Sequence, residues 1–168
     1  RGTGLVSNVT KLDGLSASGI NQIAKNESLN KVIITYQDGE IDIIDANGNI
    51  HPIMDLYLKQ MNGSKVVNDV CVYKEKAYLA MSWGILVVNM QKAEIEDTYY
   101  IGNESSEVNV QYICTVGDKV YAMTDSGLYC ANMRDNLVDY AYWYTIEKPI
   151  GNTVSGMREL SGMLFLVI

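Results

Sequence analysis

The segment KVYAMTDSGLYCAN, residues 119–132, has the pattern of a β-hairpin. Two runs rich in apolar and β-branched residues, 120–124 and 128–132, flank the turn Asp125-Ser126-Gly127. Such residues favour the pleated, buried surface of a strand. Gly127 supplies the positive φ angle that a tight hairpin turn needs. The segment therefore predicts two antiparallel strands joined by a short turn.

This hairpin pattern occurs twice more, as KVIITYQDGEIDIID at 31–45 and as KAYLAMSWGILVVN at 76–89. The turn glycines of the three copies are 45 and 43 residues apart. A second landmark, a pair of aliphatic residues three positions apart, precedes each hairpin. Its copies begin at Ile20, Val67, Val110 and Val154. Because both landmarks recur together at about 40–45 residues, the chain has the signature of four-stranded propeller blades.

The repeats predict a single all-β domain over 1–168, a β-propeller fragment of four-stranded antiparallel blades. We expect about three complete blades plus partial blades at both ends, on the repeat pattern of such folds. The predicted blade repeats are 20–66, 67–109, 110–153 and the partial 154–168. Residues 5–12 are predicted to form a single edge strand, and residues 55–65 a long connection that includes a helical turn. The outermost strands of the complete blades are predicted at 50–54, 94–101 and 139–146.

The ends of this arc predict a covering partner. A propeller blade buries its faces against two neighbours, so an arc leaves a broad apolar face at each end. Such faces mark an interaction surface or an aggregation liability. We expect either the remaining blades of a longer chain or a second copy completing the ring, and the predicted N-terminal strand can also join the open edge of the last unit.

Composition and charge exclude several classes of partner. The 168 residues are 48% hydrophobic and carry a net charge of −7. Nucleic acid binding rests on a positive field, which this chain lacks. No apolar run approaches the roughly 18 residues of a membrane span. We therefore expect neither nucleic acid binding nor a membrane span, and we take the charge to favour solubility.

The three cysteines are predicted to be unpaired, buried core residues. Cys71 and Cys114 hold the same position in successive repeats, and Cys130 lies in the third strand of its unit. Two strands separate Cys114 from Cys130, about 9–10 Å at the usual strand spacing. A disulfide needs Cα atoms within about 7 Å. With no CxxC motif or paired Cys/His spacing, we predict no metal site.

No catalytic constellation is visible, and we predict a protein that is not an enzyme and has no cofactor. The chain has no nucleophile elbow, P-loop, EF-hand or dinucleotide-binding motif. The one histidine, His51, stands beside Pro52 on a predicted outer strand and is interpreted as a surface residue. Acidic residues recur at turns of three units, which favours turn chemistry over a calcium site.

Three aromatic residues are the candidate ligand-binding or partner-binding residues: Tyr57, Trp83 and Trp143. Amphipathic rings are enriched at interfaces, and Trp83 falls in a turn that faces one end of a propeller. Tyr142 and Trp143 alternate faces on the predicted outer strand, so at most one of them faces outward. Packing within or between blades is the competing interpretation for these rings.

Four segments resemble the N-terminal β-propeller of PorZ-like proteins and, more loosely, the two-component-regulator propeller repeats of Bacteroidetes hybrid sensors. They are GLSASGINQIAKNESLNKVIITYQDGEIDIID at 14–45, KAYLAMSWGILVVNM at 76–90, EIEDTYYIG at 94–102 and VYAMTDSGLYCA at 120–131. The resemblance covers 14–168. It implies an exported protein of the periplasm or cell surface, although no signal peptide is visible; a removed one would leave the same sequence. It also implies a link to type IX secretion.

These observations support two functional hypotheses. The first is a non-catalytic, exported binding or scaffold module that recognises protein or cell-surface glycan through its loop faces and is linked to type IX secretion or cell-surface attachment. The alternative is the periplasmic sensory propeller of a hybrid two-component system that recognises glycan. An enzyme would need clustered His, Asp or Arg residues on one face, and a single histidine disfavours it.

Overall fold

The computed structural model describes residues 8–146 and 153–168. Its strands form three four-stranded antiparallel sheets and one two-stranded sheet. Each strand pairs with its neighbour in chain order, as in the blades of a propeller. The predicted fold class is confirmed, with three complete blades and part of a fourth.

The strands of the four blades have the following bounds. Blade 1 contains β1 (Ile20–Asn26), β2 (Lys31–Tyr36), β3 (Ile41–Ile44) and β4 (Ile50–Ile53). Blade 2 contains β5 (Asp69–Tyr73), β6 (Lys76–Met81), β7 (Gly84–Asn89) and β8 (Glu94–Tyr99). Blade 3 contains β9 (Val110–Val116), β10 (Lys119–Thr124), β11 (Gly127–Asn132) and β12 (Tyr144–Ile146). Blade 4 contains β13 (Gly156–Leu160) and β14 (Met163–Val167).

The repeated hairpins form as their turn residues predict. In blade 3 the pairing runs from Lys119 opposite Asn132 to Thr124 opposite Gly127. The turn glycines Gly39, Gly84 and Gly127 have φ angles of +93°, +151° and +147°. These are left-handed values that favour glycine. The helical turn expected in the connection after blade 1 is α1 (Asp55–Leu58).

The hydrophobic core lies between blades rather than within them. In β7, Leu86 and Val88 belong to the cluster shared with blade 1, whereas Ile85 and Val87 belong to the cluster shared with blade 3. Successive residues of a strand point to opposite faces of its sheet. The continuous apolar run of β7 therefore follows from the burial of both faces of blade 2.

The prediction of a strand at 5–12 is wrong where the structure describes it, and residues 5–7 lie outside the described residues. Lys11–Asp13 form a 3-10 helix instead. The Thr10 hydroxyl accepts from the Leu12 amide, and the Asp13 carboxylate accepts from the Thr10 amide at 2.8 Å. This capping box stabilises a helical start. The apolar residue that suggested a strand, Leu12, is 99% exposed.

The segment that follows this 3-10 helix covers blade 1. Leu15 and Ala17 are buried against Ile34 and Tyr36. The Ser16 amide and hydroxyl both donate to the carboxylate of Asp42, at 2.9 and 2.6 Å. In the described part of the chain, the N-terminal segment is therefore seated on blade 1 and not on the open edge of blade 4.

The predicted outer strand at 139–146 is also only partly correct. Residues Tyr140–Tyr142 form a 3-10 helix, and the strand is limited to β12. The Asp139 carboxylate accepts from the Ala141 amide at 3.0 Å and so caps the helix. The alternation of Tyr142 and Trp143 across one strand therefore does not apply.

The alternating direction of the strands distinguishes two faces of the arc, at opposite ends of the strands. Because strands alternate, the turn between the second and third strands of a blade lies at the same end as the connection to the next blade. We call this end the upper face; its turns lie at 37–40, 82–83 and 125–126. The opposite end is the lower face. Among the described residues, no helix is long and apolar enough to cross a membrane.

Candidate binding sites on the upper face

Trp83 and Trp143 are buried at two different seams between blades. Trp83 is 3% exposed, and its indole N–H donates to the Ser64 carbonyl at 3.0 Å. Trp143 is 7% exposed, and its indole N–H donates to the Leu137 carbonyl at 3.0 Å. Their rings lie 6.1 Å from Tyr100 and 6.4 Å from Tyr99, respectively. Both indoles are therefore largely buried between blades, and the structure does not bring them together.

Tyr57 is the candidate aromatic residue with an exposed ring. It lies on α1 and is 41% exposed; its neighbour Leu58 is 67% exposed. The Lys65 ammonium donates to the Tyr57 carbonyl and lies 5.8 Å from the centroid of the Tyr57 ring. This contact holds the short helix against the connection that follows it.

A cavity of about 230 Å³ lies beside α1, and we call it the helix cleft. It lies on the upper face, between the connection from blade 1 and the outer strands of blade 2. The lining residues are Asp55, Leu56, Lys59, Trp83, Leu86 and Ile95. The cleft is thus mainly apolar, with Trp83 in its wall. Leu58 does not line it but is exposed on the same short helix as Asp55 and Leu56.

A second, polar cavity of about 420 Å³ lies where the innermost strands of blades 2, 3 and 4 begin. We call it the axial cleft. The lining residues are Asn68, Asn109, Gln111, Tyr112, Thr153 and Val154. None of them is charged. The start of β9 supplies Gln111 and Tyr112, and the connections before β5 and β13 supply Asn68 and Thr153.

Hydrogen bonds hold the amide side chains of the axial cleft in place. The Asn68 amide nitrogen donates to Asn109 Oδ1 at 3.2 Å and to the Val110 carbonyl at 2.7 Å. Asp125 accepts from the amide nitrogens of Asn109 and Gln111, at 3.1 and 2.5 Å. These bonds connect blade 2 to blade 3 and fix the side chains that line the cavity.

Sequence reasoning missed these amide residues. The signal lies within the aliphatic landmark, where a polar residue directly follows the first aliphatic one, as in Asn21 and Asn68. The Asn21 side chain accepts from the Val67 amide of the next repeat at 2.8 Å, and Asn68 donates to the Val110 carbonyl of the repeat after it. The recurring polar position therefore marks contacts between blades at the upper face.

A third cavity, of about 210 Å³, lies on the lower face between blades 2 and 3. Two of its lining cations are engaged in ion pairs: Arg134 with Asp118 at 2.5 Å, and Lys76 with Glu96 at 2.5 Å. These pairs reduce the positive charge that the cavity offers to a ligand.

The single histidine serves a turn. His51 Nε2 lies 3.2 Å from Asp45 Oδ2, and Asp45 also accepts from the Asn49 side chain at 3.0 Å. The hydrogen bonds from Asn49 and His51 hold the pKa of Asp45 well below its usual range. The geometry of this pair is that of a stabilised turn next to an outer strand.

The three cysteines are unpaired; Cys114 and Cys130 are buried, and Cys71 is partly exposed. Burial raises the pKa of the Cys114 thiol to about 11, so the thiol stays protonated at neutral pH. In the described residues, no group of three or more His, Cys, Asp or Glu side chains is placed to hold a metal ion.

Successive four-stranded antiparallel sheets that pack against one another face to face are the blades of a β-propeller. The family model described as "TSS9, PorZ, N-terminal beta-propeller domain" matches residues 3–144. The chain belongs to this family. No curated protein matches it in a sequence comparison.

Solved structures agree with this assignment. PorZ, described as an essential bacterial surface component of the type IX secretion system of Porphyromonas gingivalis, matches with 25% identity and a TM-score of 0.82. The match covers 94% of this chain and 21% of PorZ, so this chain spans about a fifth of that protein's length.

Two more distant structures share the fold. The extracellular domain of a protein described as a hybrid two component system from B. thetaiotaomicron has 14% identity and a TM-score of 0.64, over 91% of this chain and 19% of that one. The WD40 repeats of RRP9 have 13% identity and a TM-score of 0.63, over 85% of this chain and 42% of that one.

Proposed function

We propose that this chain is part of a non-catalytic, exported module of the type IX secretion machinery that binds a protein partner at the helix cleft. Membership in the PorZ N-terminal propeller family supports the link to secretion. The observation that carries the binding site is the exposed pair Tyr57 and Leu58 on α1, the helix whose residues Asp55 and Leu56 line an apolar cavity.

The chemistry of the helix cleft suits an apolar side chain from a protein. Leu56, Leu86 and Ile95 line it together with the wall formed by Trp83. An aliphatic or aromatic anchor that enters such a cavity is the usual source of affinity at a protein interface. The rim carries Asp55 and Lys59, which can pair with polar groups around that anchor.

The binding proposal is tested with the full-length protein that contains this propeller. Purified outer-membrane components of the type IX secretion system of the same organism serve as probes in a biosensor assay. Leu58→Asp places a charge on the exposed surface of α1, next in sequence to the cleft residue Lys59, and is expected to weaken binding of one component at least tenfold. Val138→Asp, at a 47% exposed apolar residue of blade 3, is the matched control and is expected to change affinity less than twofold. Equal affinities for the two variants, or binding of no component, contradict the proposal.

We also propose that the protein is located in the periplasm or at the cell surface. PorZ itself is described as a surface component. Proteinase K treatment of intact cells separates the two compartments, because it degrades only a surface-exposed protein. Recovery of the protein in the cytoplasmic fraction contradicts the proposed export.

We also propose that further blades of a longer chain cover blade 4. Its strands expose apolar side chains to water: Leu160, Met163, Phe165 and Val167. Light scattering of residues 1–168 alone is expected to show self-association, and extension of the chain beyond residue 168 is expected to abolish it. A dispersed monomer of 1–168 contradicts the need for a covering blade, and a dimer that persists in the extended chain identifies a second copy as the cover instead.

A second candidate function is the sensory propeller of a hybrid two-component system. The structural match to the extracellular domain from B. thetaiotaomicron favours it, although that match concerns the fold alone. The full-length gene separates the two candidates, since a sensor requires a membrane-spanning segment and a kinase after the propeller.

A further inference from the structure

We propose that the axial cleft is a binding site for a neutral saccharide. This site goes beyond the proposed protein-binding function, because it uses different residues and a different class of ligand. The axial cleft lies at the innermost strands, whereas the helix cleft lies over the outer strands of blade 2. The experimental test of one site is therefore independent of the test of the other.

The first support is the balance of donors and acceptors that the cleft retains. An amide side chain offers two N–H donors and one carbonyl acceptor. Among the hydrogen bonds of the described residues, Asn109 and Gln111 each use one N–H on Asp125. Each keeps one N–H, and Asn68 and Gln111 keep their side-chain carbonyl oxygens. A sugar hydroxyl both donates and accepts, so this mixed set matches it.

The second support is that the polar groups are already held in place. The side-chain amide nitrogen of Asn68 donates to Asn109 Oδ1 and to the Val110 carbonyl, and these two bonds fix the direction of the Asn68 side-chain carbonyl oxygen. Asp125 fixes the other two amide side chains from the adjacent hairpin turn. Preorganised side chains lose little conformational entropy on binding, which improves the affinity of a polar site.

The third support is charge. None of the residues that line the axial cleft is basic, and the hydrogen bonds of Asn109 and Gln111 bring the carboxylate of Asp125 beside it. A phosphate, sulfate or uronate group would meet this carboxylate, and the Arg158 guanidinium on the neighbouring inner strand is already paired with the Asp69 carboxylate at 3.2 Å. Asp125 already accepts hydrogen bonds from the side-chain amides of Asn109 and Gln111, and these bonds orient both side chains. The environment therefore favours an uncharged ligand.

The fourth support is an aromatic wall of suitable size. Tyr112 lines the cleft and packs against the cluster that joins blades 3 and 4, next to Val154. An aromatic ring with one supported side offers apolar surface to the C–H face of a sugar. The volume of about 420 Å³ lies within the range of about 300–1,000 Å³ for small-molecule sites.

The test uses the full-length protein and an array of neutral and anionic oligosaccharides, followed by calorimetry with the best neutral binder. Gln111→Ala and Asn109→Ala are each expected to weaken binding about three- to tenfold, the effect of one lost neutral hydrogen bond. Gln91→Ala removes an exposed amide on the lower face and is the matched control, expected to change affinity less than twofold. Thermal unfolding of each variant excludes loss of the fold as the cause.

Tyr112→Phe keeps the ring and is expected to retain binding within about threefold, because stacking needs only the apolar face. Binding of no neutral saccharide, a preference for anionic ones, or equal affinities of Gln111→Ala and Gln91→Ala overturns the proposal. The Leu58→Asp variant separates it from the helix cleft, since that variant is expected to bind the saccharide with unchanged affinity.

Discussion

The carboxylate of Asp69 in blade 2 lies 3.2 Å from the guanidinium of Arg158 in blade 4. The same carboxylate oxygen accepts from the backbone amide of Ile113, in blade 3, at 3.2 Å. One side chain at the start of β5 thus joins the innermost strands of three successive blades. Asp69 is nearly buried, whereas the side chain of Arg158 is 66% exposed.

The structure predicts unequal effects at the two ends of this contact. Asp69→Ala leaves the Ile113 amide without its acceptor and is expected to lower the free energy of unfolding by about 1–3 kcal/mol. Asp69→Asn keeps a side-chain oxygen and is expected to cost less. Arg158→Ala removes a mostly exposed partner, at about 0–1 kcal/mol. Urea unfolding followed by tryptophan fluorescence measures all three, and equal losses for Ala and Asn at position 69 would show that the Ile113 bond contributes little.

Alanine substitutions at two turn glycines can distinguish the cost of a steric clash from the cost of backbone strain. Gly84 and Gly127 have nearly equal φ angles, +151° and +147°. A Cβ atom on Gly84 would lie 2.4 Å from the Tyr99 carbonyl oxygen, whereas on Gly127 the nearest atom, the Ile146 carbonyl oxygen, lies at 3.6 Å.

We therefore expect Gly127→Ala to cost about 1–3 kcal/mol of strain, and Gly84→Ala to cost clearly more because the backbone of β8 must shift. Thermal denaturation of the two variants provides the measurement. Gly48→Ala, at an open turn with φ +85°, is a second strain-only control. Equal losses at 84 and 127 would mean that β8 yields to the extra methyl group without cost.

The blades were predictable because their signals are local. The apolar pattern of a hairpin shows its strands and one glycine shows its turn, and burial on both faces accounts for the apolar run of β7 from Ile85 to Val88. The errors arose where a side-chain cap overrode that pattern. Thr10 and Asp139 each stabilise a 3-10 helix at residues that alternate like a strand. Capping competes with strand formation through short-range hydrogen bonds that periodicity does not report.

The candidate sites were less predictable because they form between repeats. Asn68 and Gln111 read as polar residues near turns, and their role depends on neighbours that stacking of the blades brings together. Trp83 could be placed on the upper face from its turn, but its burial depends on Ser64, in the long connection from blade 1. The exposure of Tyr57 likewise follows from the fold of that connection.

The different burial of the three cysteines predicts that they react with maleimide at different rates. Cys71 is partly exposed and Cys130 is fully buried. Burial raises the pKa of the thiols of Cys71 and Cys114, and the thiolate is the reactive form. We expect slow labelling of native protein at Cys71 first, with Cys114 and Cys130 modified only as the protein unfolds. Mass spectrometry of tryptic peptides identifies the order, and Cys71→Ser should remove the early product. Early labelling of Cys130 would contradict the packing of blade 3.

Tyr99 predicts a loss of stability at alkaline pH. Its burial between blades 2 and 3, reinforced by the nearby carboxylates of Asp97 and Glu96, raises its pKa to about 12. The unfolded chain ionises at the ordinary tyrosine pKa of about 10. Between pH 10 and pH 12 the Tyr99 hydroxyl therefore stays protonated in the folded protein, whereas it is ionised in the unfolded chain. The resulting stability is present in full below pH 10 and is lost as the pH rises toward 12.

The expected size of this loss is about 2–3 kcal/mol over two pH units, at about 1.4 kcal/mol per unit. Tyr99→Phe keeps the ring contact with Trp143 but cannot ionise, so its free energy of unfolding should fall less steeply between pH 10 and 12. Tyr78, whose pKa burial also raises, lies 6.5 Å from Tyr99 by ring centroids, and Tyr78→Phe is expected to behave similarly. Urea titrations at a series of pH values measure the slopes. A slope for Tyr99→Phe equal to that of the unmodified chain would show that Tyr99 ionises as readily in the folded protein as in the unfolded chain.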